Sequence, residues 1–185
     1  MTIQSLAELT AGYASGVEVS ADEVREAVDA APHQVLVVLD DDPTGTQSVA
    51  YLPVLTRWTE ADLAWAFEQN APAIYVMTNS RSLAPVDAEA INREVADAAF
   101  AAADARGIDI SFVSRSDSTL RGHYPLEPDT LADKVEAHGA TVDGFVIVPA
   151  FGEAGRITVG STHYAGSAAK GFKPVGETEF AEDAT

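Results

Sequence analysis

Four short apolar runs punctuate this chain, and each ends in a polar loop. The first, residues 35–39 of VLVVLDDDPTGTQSV, meets Asp40, Asp41 and Asp42 and then Pro43-Thr44-Gly45-Thr46. Residues 73–77 run into Thr78-Asn79-Ser80-Arg81-Ser82, residues 108–113 into SRSDSTLRGHY, and residues 145–148 into PAFGEAGRITVGSTHY. Short continuous apolar runs bounded by turn residues read as buried parallel strands. Between them, residues 60–69, 87–105 and roughly 125–138 carry helical spacing. Thr59 is placed to start the first of these helices, and Gly107 to stop the second.

Strands alternating with helices imply βαβ units, so the expected fold is α/β: a three-layer sandwich with a mostly parallel sheet. Right-handed crossovers then bring all four polar loops to the carboxyl edge of the strands, where open α/β sheets bind ligands. The first thirty residues read as a helical peripheral segment, with Ser20 and Glu23 matching a capping box. From residue 166 to 185 the periodicity fades, which reads as a tail or the start of a connection.

At 185 residues and 46% hydrophobic content, the expectation is a single domain with one buried core. No apolar run approaches the roughly 20 residues that span a bilayer, and the N-terminal residues lack a basic region followed by an apolar block, so a soluble, cytoplasmic protein is expected. The absence of cysteine excludes disulfides and thiol chemistry, and the histidines at 33, 123, 138 and 163 are too scattered for a close metal-ligand pattern.

A formal net charge of −18 argues against nucleic acid or an anionic membrane as partner. Against that background the placement of Arg81, Arg115, Arg121 and Arg156 matters, because all four fall in the strand-end loops. Guanidinium groups bind carboxylate or phosphate bidentately, so an anionic ligand is expected there. The competing explanation is that these arginines only neutralise the surplus carboxylates.

Three adjacent aspartates at a strand end repel one another, and an arginine, a cation or a hydrogen-bonding ligand would relieve them. The loop from Ser114 to Gly122 carries two guanidinium groups, one carboxylate and four hydroxyls, a mix suited to a small polar anion such as a sugar acid. The glycines at 152, 155 and 160 fit neither a Walker motif nor GxGxxG and are more simply turn residues.

Together, LDDDPTGTQ, TNSRS, SRSDSTLRGHYPLE, PAFGEAGRITVGSTHY and ETEFAEDAT resemble the four-carbon acid sugar kinase family, in the order and spacing of its N-terminal sugar-acid-binding domain. The resemblance implies an ATP-dependent kinase, with Mg²⁺, acting on threonate, erythronate or 3-oxo-tetronate. It also implies that residues 166–185 begin a linker to a C-terminal nucleotide-binding domain, of the same or a companion chain, that supplies most ATP contacts. Carried over by position, Asp41, Asp42, Arg81, Ser116, Asp117 and Arg121 would hold the substrate; the resemblance does not name the catalytic base, and Asp117 is the candidate for it. Asn79 stands where Asp is frequent in the family, and Arg115 where Lys is common, which marks a divergent subgroup.

Two alternatives remain on the residues alone. Asp40-Asp41-Asp42-Pro43-Thr44 also fits the DxDxT pattern of haloacid-dehalogenase-like phosphatases, with Asp40 as nucleophile and Thr78 or Ser80 as the second hydroxyl. The later acidic pair such enzymes need is missing after residue 148. The other alternative is a non-catalytic small-molecule binding module.

Overall fold

The protein is described from a computed structural model, which places residues 3–31, 34–117 and 121–181. In chain order the elements are α1 (Leu6–Thr10), α2 (Ala21–Ala30), β1 (Val35–Asp40), β2 (Val54–Leu55), α3 (Glu60–Phe67), β3 (Ala73–Met77), α4 (Pro85–Asp104), β4 (Ile110–Arg115), α5 (Leu126–Ala137), β5 (Arg156–Val159), β6 (Thr162–Ser167) and β7 (Gly171–Pro174).

Strands β1 to β4 form an all-parallel sheet in the order β2-β3-β1-β4, so the fold is α/β as the alternation predicts. The helix starts follow side-chain chemistry. Thr59 and Asp62 make a reciprocal capping box at α3, Ser20 and Glu23 do the same at α2, and Pro85 opens α4 where its missing N–H costs nothing.

Helices α3, α4 and α5 pack side by side over one face of the sheet. Val35, Val37 and Leu39 of β1 point into that layer and meet Ile74, Val76, Leu63, Phe67 and Leu131. The alanines at 96, 99, 102 and 103 along α4 are buried in the same core, and α4 packs between α3 and α5. Val37, Ile74 and Val76 are fully buried, each contributing about 1.5–3 kcal/mol of hydrophobic stabilisation. The opposite face carries Leu36 and Val113, both exposed.

Two regions differ from the sequence expectation. Residues 145–148 form no strand: Phe145, Val146, Ile147 and Val148 are 52–93% exposed, and β4 is the edge of the parallel sheet. An apolar run becomes a strand only when a ladder pairs its backbone, and this run makes none among the described residues. The second region is the stretch read as loop and aperiodic tail, which builds a small antiparallel sheet, β5-β6-β7. Gln4 joins its edge through two backbone hydrogen bonds with Phe172, at 3.1 and 2.7 Å. Among the described residues no helix is long and apolar enough to cross a membrane.

Candidate functional site

The parallel registers bring Asp40 level with Met77 on one side and Arg115 on the other, so the loops leaving β1, β3 and β4 start at the same height. Backbone bonds then splice the loops together. Asp41 N–H donates to Arg115 O (3.2 Å), Thr78 N–H to Asp40 O (2.9 Å) and Arg81 N–H to Asp41 O (3.2 Å). Asn79 takes the left-handed conformation (φ 53°), which asparagine tolerates better than most residues, and it leads into the 3₁₀ turn of Ser80–Ser82.

Arg81 is the hub. Its Nε and Nη2 donate to the two oxygens of Asp41 at 3.1 and 2.8 Å, while Nη1 donates to Asp42 Oδ2 at 2.9 Å. Arg115 Nη1 reaches Asp40 Oδ1 at 3.2 Å and lies 3.9 Å from Asp41. A fourth carboxylate, Asp117, is shared by Arg121 Nε (2.7 Å) and Arg156 Nη1 (3.3 Å). Phe180 then lies over both of these guanidinium groups, 5.7 and 5.2 Å from ring centroid to carbon, within cation–π range.

The three adjacent aspartates differ in character. Burial pushes the Asp40 carboxyl above its ordinary range, with Arg115 opposing; burial likewise raises Asp41, held back by the Arg81 fork. Asp42 is lowered because the Thr44 hydroxyl and amide both donate to it. Asp40 is fully buried, and its Oδ2 has no hydrogen-bond partner among the described residues. It packs against Gly45 so closely that a Cβ there would stand 2.1 Å from Oδ2. The nucleophile of the phosphatase alternative therefore presents no exposed face to a substrate.

Beneath the loops lies a buried layer that the sequence reading left unassigned. Glu127, the second residue of α5, is 3% exposed and hydrogen-bonded through Oε1 to Ser80 Oγ, while Asn92 Nδ2 donates to the same oxygen at 3.1 Å. Ser80 Oγ contacts Thr78 Oγ1 at 3.0 Å, and Thr78 Oγ1 donates to Asp40 O, also at 3.0 Å. His123 Nε2 lies 3.1 Å from the Ser80 carbonyl, where it donates as the protonated nitrogen. A glutamate in the first turn of a helix reads in sequence as a dipole-favoured surface residue, so nothing local marks Glu127 as buried.

The sequence-derived residues are thus brought together in two clusters. Asp41, Asp42 and Arg81 form one; Asp117 and Arg121 form the other, with half-buried Ser116 beside them at the end of β4. Gly122, at φ 114°, lets the second loop close on the first: a Cβ there would lie 3.0 Å from Asp41 Oδ2 and 3.9 Å from Ser116 Cβ. Residues 118–120 of the same loop lie outside the described residues. Arg81, Arg115, Arg121 and Arg156 all pair with aspartates at the ends of β1 and β4, although Arg156 itself opens β5 and follows no parallel strand, contrary to the sequence expectation. The cluster is four guanidinium groups against four aspartates, at the sheet edge where small polar ligands bind.

A fold and site of this kind define a small-ligand domain of the α/β class. The chain belongs to the family described as the sugar-binding N-terminal domain, whose family model matches residues 36–185. That domain is the N-terminal domain of four-carbon acid sugar kinases. Comparison with curated proteins and with solved structures returned no match.

Proposed function

We propose that this chain is the substrate-binding half of an ATP-dependent kinase acting on four-carbon sugar acids of the threonate, erythronate or 3-oxo-tetronate type. The observation that carries the reading is the meeting of Arg81 and Arg121 with Asp41, Asp42 and Asp117 at the carboxyl edge, in a chain of the sugar-binding family. The guanidinium groups suit the ligand carboxylate, and the aspartates and Ser116 suit its hydroxyls. Each ion pair sits at 18–37% exposure on its arginine side, so the forks are reachable from solvent while their aspartates are held from below.

In this reading Asp117 accepts the proton of the acceptor hydroxyl as Arg121 turns from Asp117 to the substrate. Arg156 stays on the other oxygen and keeps the carboxylate oriented. Phosphoryl transfer depends on such positioning and on neutralising the moving charge, and ATP with Mg²⁺ supplies the transferred group. The residues described here do not fit Mg²⁺: Asp40, Asp41 and Asp42 are tied to Arg115, Arg81 and Thr44, and no group of three metal-binding side chains is found among the described residues. In this reading nucleotide and metal contacts come from a C-terminal nucleotide-binding domain of the same or a companion chain, as the family resemblance implies.

Calorimetric titration with threonate, erythronate and 3-oxo-tetronate, and separately with Mg-ATP, tests the reading. Binding of a sugar acid without binding of ATP is the expected result. Binding of ATP alone, or of neither, contradicts it.

A further inference from the structure

Four oxygens stand in series beneath the site: Asp40 O, Thr78 Oγ1, Ser80 Oγ and Glu127 Oε1. They make three oxygen-to-oxygen contacts, and a hydrogen bond needs one proton for each. The carbonyl has none to give, and the two hydroxyls have one each. With an ionised Glu127 the series is one proton short, so two buried oxygens would face each other at hydrogen-bonding distance with only lone pairs between them.

We propose that Glu127 is a positioning residue held in its neutral, protonated form. It donates to Ser80 Oγ, Ser80 donates to Thr78 Oγ1, and Thr78 donates to the Asp40 carbonyl. Every contact then carries one proton, and the series ties α5 to the loops that present Asp41 and Arg81. Asn92 Nδ2 donates to Ala88 O at 2.9 Å and so offers its N–H side to Glu127 Oε1, which still has a lone pair to accept it when protonated.

The surroundings favour the neutral form. Burial raises Glu127 above its ordinary value, opposed by the hydrogen bonds of Ser80 and Asn92, and the charge of Asp41 raises it further, with His123 opposing. Arg81, the remaining charged group on the 3₁₀ turn above, is committed to Asp41 and Asp42. A neutral Glu127 also leaves the four arginines and four aspartates in balance, whereas an ionised one adds a negative charge beneath a site proposed to take an anion. That last consequence rests on the sugar-acid reading; the protonation state does not.

Carbon NMR of the chain labelled at glutamate carboxyls reads the proposal directly, with Glu127→Gln assigning the signal by its loss. The expected result is a Glu127 carboxyl titrating above the ordinary value of 4.5; titration at or below that value overturns the proposal. The carboxamide nitrogen of Glu127→Gln can donate to Ser80 Oγ as the protonated acid does but cannot accept from Asn92 Nδ2, so the variant is expected to bind erythronate more weakly than the parent and to lose the fall in affinity that the parent shows as Glu127 ionises. Glu127→Ala is expected to lose roughly tenfold. A Gln variant whose affinity still falls over the pH range in which the parent's Glu127 ionises also overturns the proposal. If no sugar acid binds at all, the carboxyl titration still decides the protonation state, so failure of the ligand reading is distinguishable.

Discussion

Arg81 closes on Asp41 with two parallel hydrogen bonds, Nε to Oδ2 and Nη2 to Oδ1, across forty residues of sequence. Asp41 is 2% exposed at its side chain and cannot be solvated if the fork is removed. Arg81→Ala leaves the buried carboxylate without a hydrogen-bonded partner, with only Arg115 at 3.9 Å, and is expected to cost about 3–5 kcal/mol in urea unfolding. Arg81→Lys, which cannot form the two-pronged contact, is expected to recover only part of that loss.

Gly45 is set against the Asp40 carboxylate with no room for a methyl group. Asp40 cannot retreat, since it is buried and held by Arg115. Gly45→Ala is expected to destabilise by about 1–3 kcal/mol, the usual cost of overpacking. Combining it with Asp40→Ala should remove most of the penalty, which a double-mutant cycle by chemical denaturation would measure.

A raised carboxyl in the folded state gives stability a definite pH slope. Asp40 unfolds to its ordinary value of 3.8 and folds to a higher one. Its contribution is fully present below the unfolded value and is lost as pH rises through the folded one, because the folded state then holds the proton longer than the unfolded state. Asp42, lowered by Thr44, slopes the other way and loses its contribution as pH falls through its folded value. Asp40→Asn is therefore expected to flatten the loss of stability from about pH 4 upward and leave the acid-side loss intact. Thermal unfolding of both proteins across that range checks the difference.

Phe180 is the contact by which the 3₁₀ turns after β7 rest on Arg121 and Arg156. Phe180→Ala is expected to cost about 0.5–1 kcal/mol. The more sensitive readout is amide exchange, which should rise in residues 178–181 and stay unchanged at Val175, anchored separately at 1% exposure.

Much of this architecture was legible in the residues. The strands β1, β3 and β4 and the helices α3 to α5 follow from apolar runs and helical spacing, and the capping box at Ser20 and the helix start at Thr59 from side-chain chemistry. The gathering of Asp41, Asp42 and Arg81 followed from the rule that parallel strands deliver their loops to one edge. Pairing was not legible. Residues 145–148 look more like a strand than Arg156–Val159 does, yet only the latter finds a ladder, with β6. Glu127 escaped for a related reason: its burial comes from Ser80 and Asn92, 47 and 35 residues away, and no local pattern encodes either contact.

The central claim is that a sugar acid sits between the Arg81 and Arg121 forks. The arginine Nε–H resonances, assigned by single Arg→Lys variants, report it most directly during titration with erythronate. The expected result is saturable shifts at Arg81 and Arg121, with Arg25, which pairs with Asp22 on α2, and Arg106, which pairs with Glu68 ahead of β4, unmoved. Unchanged Arg81 and Arg121 signals at ligand saturation would contradict the account.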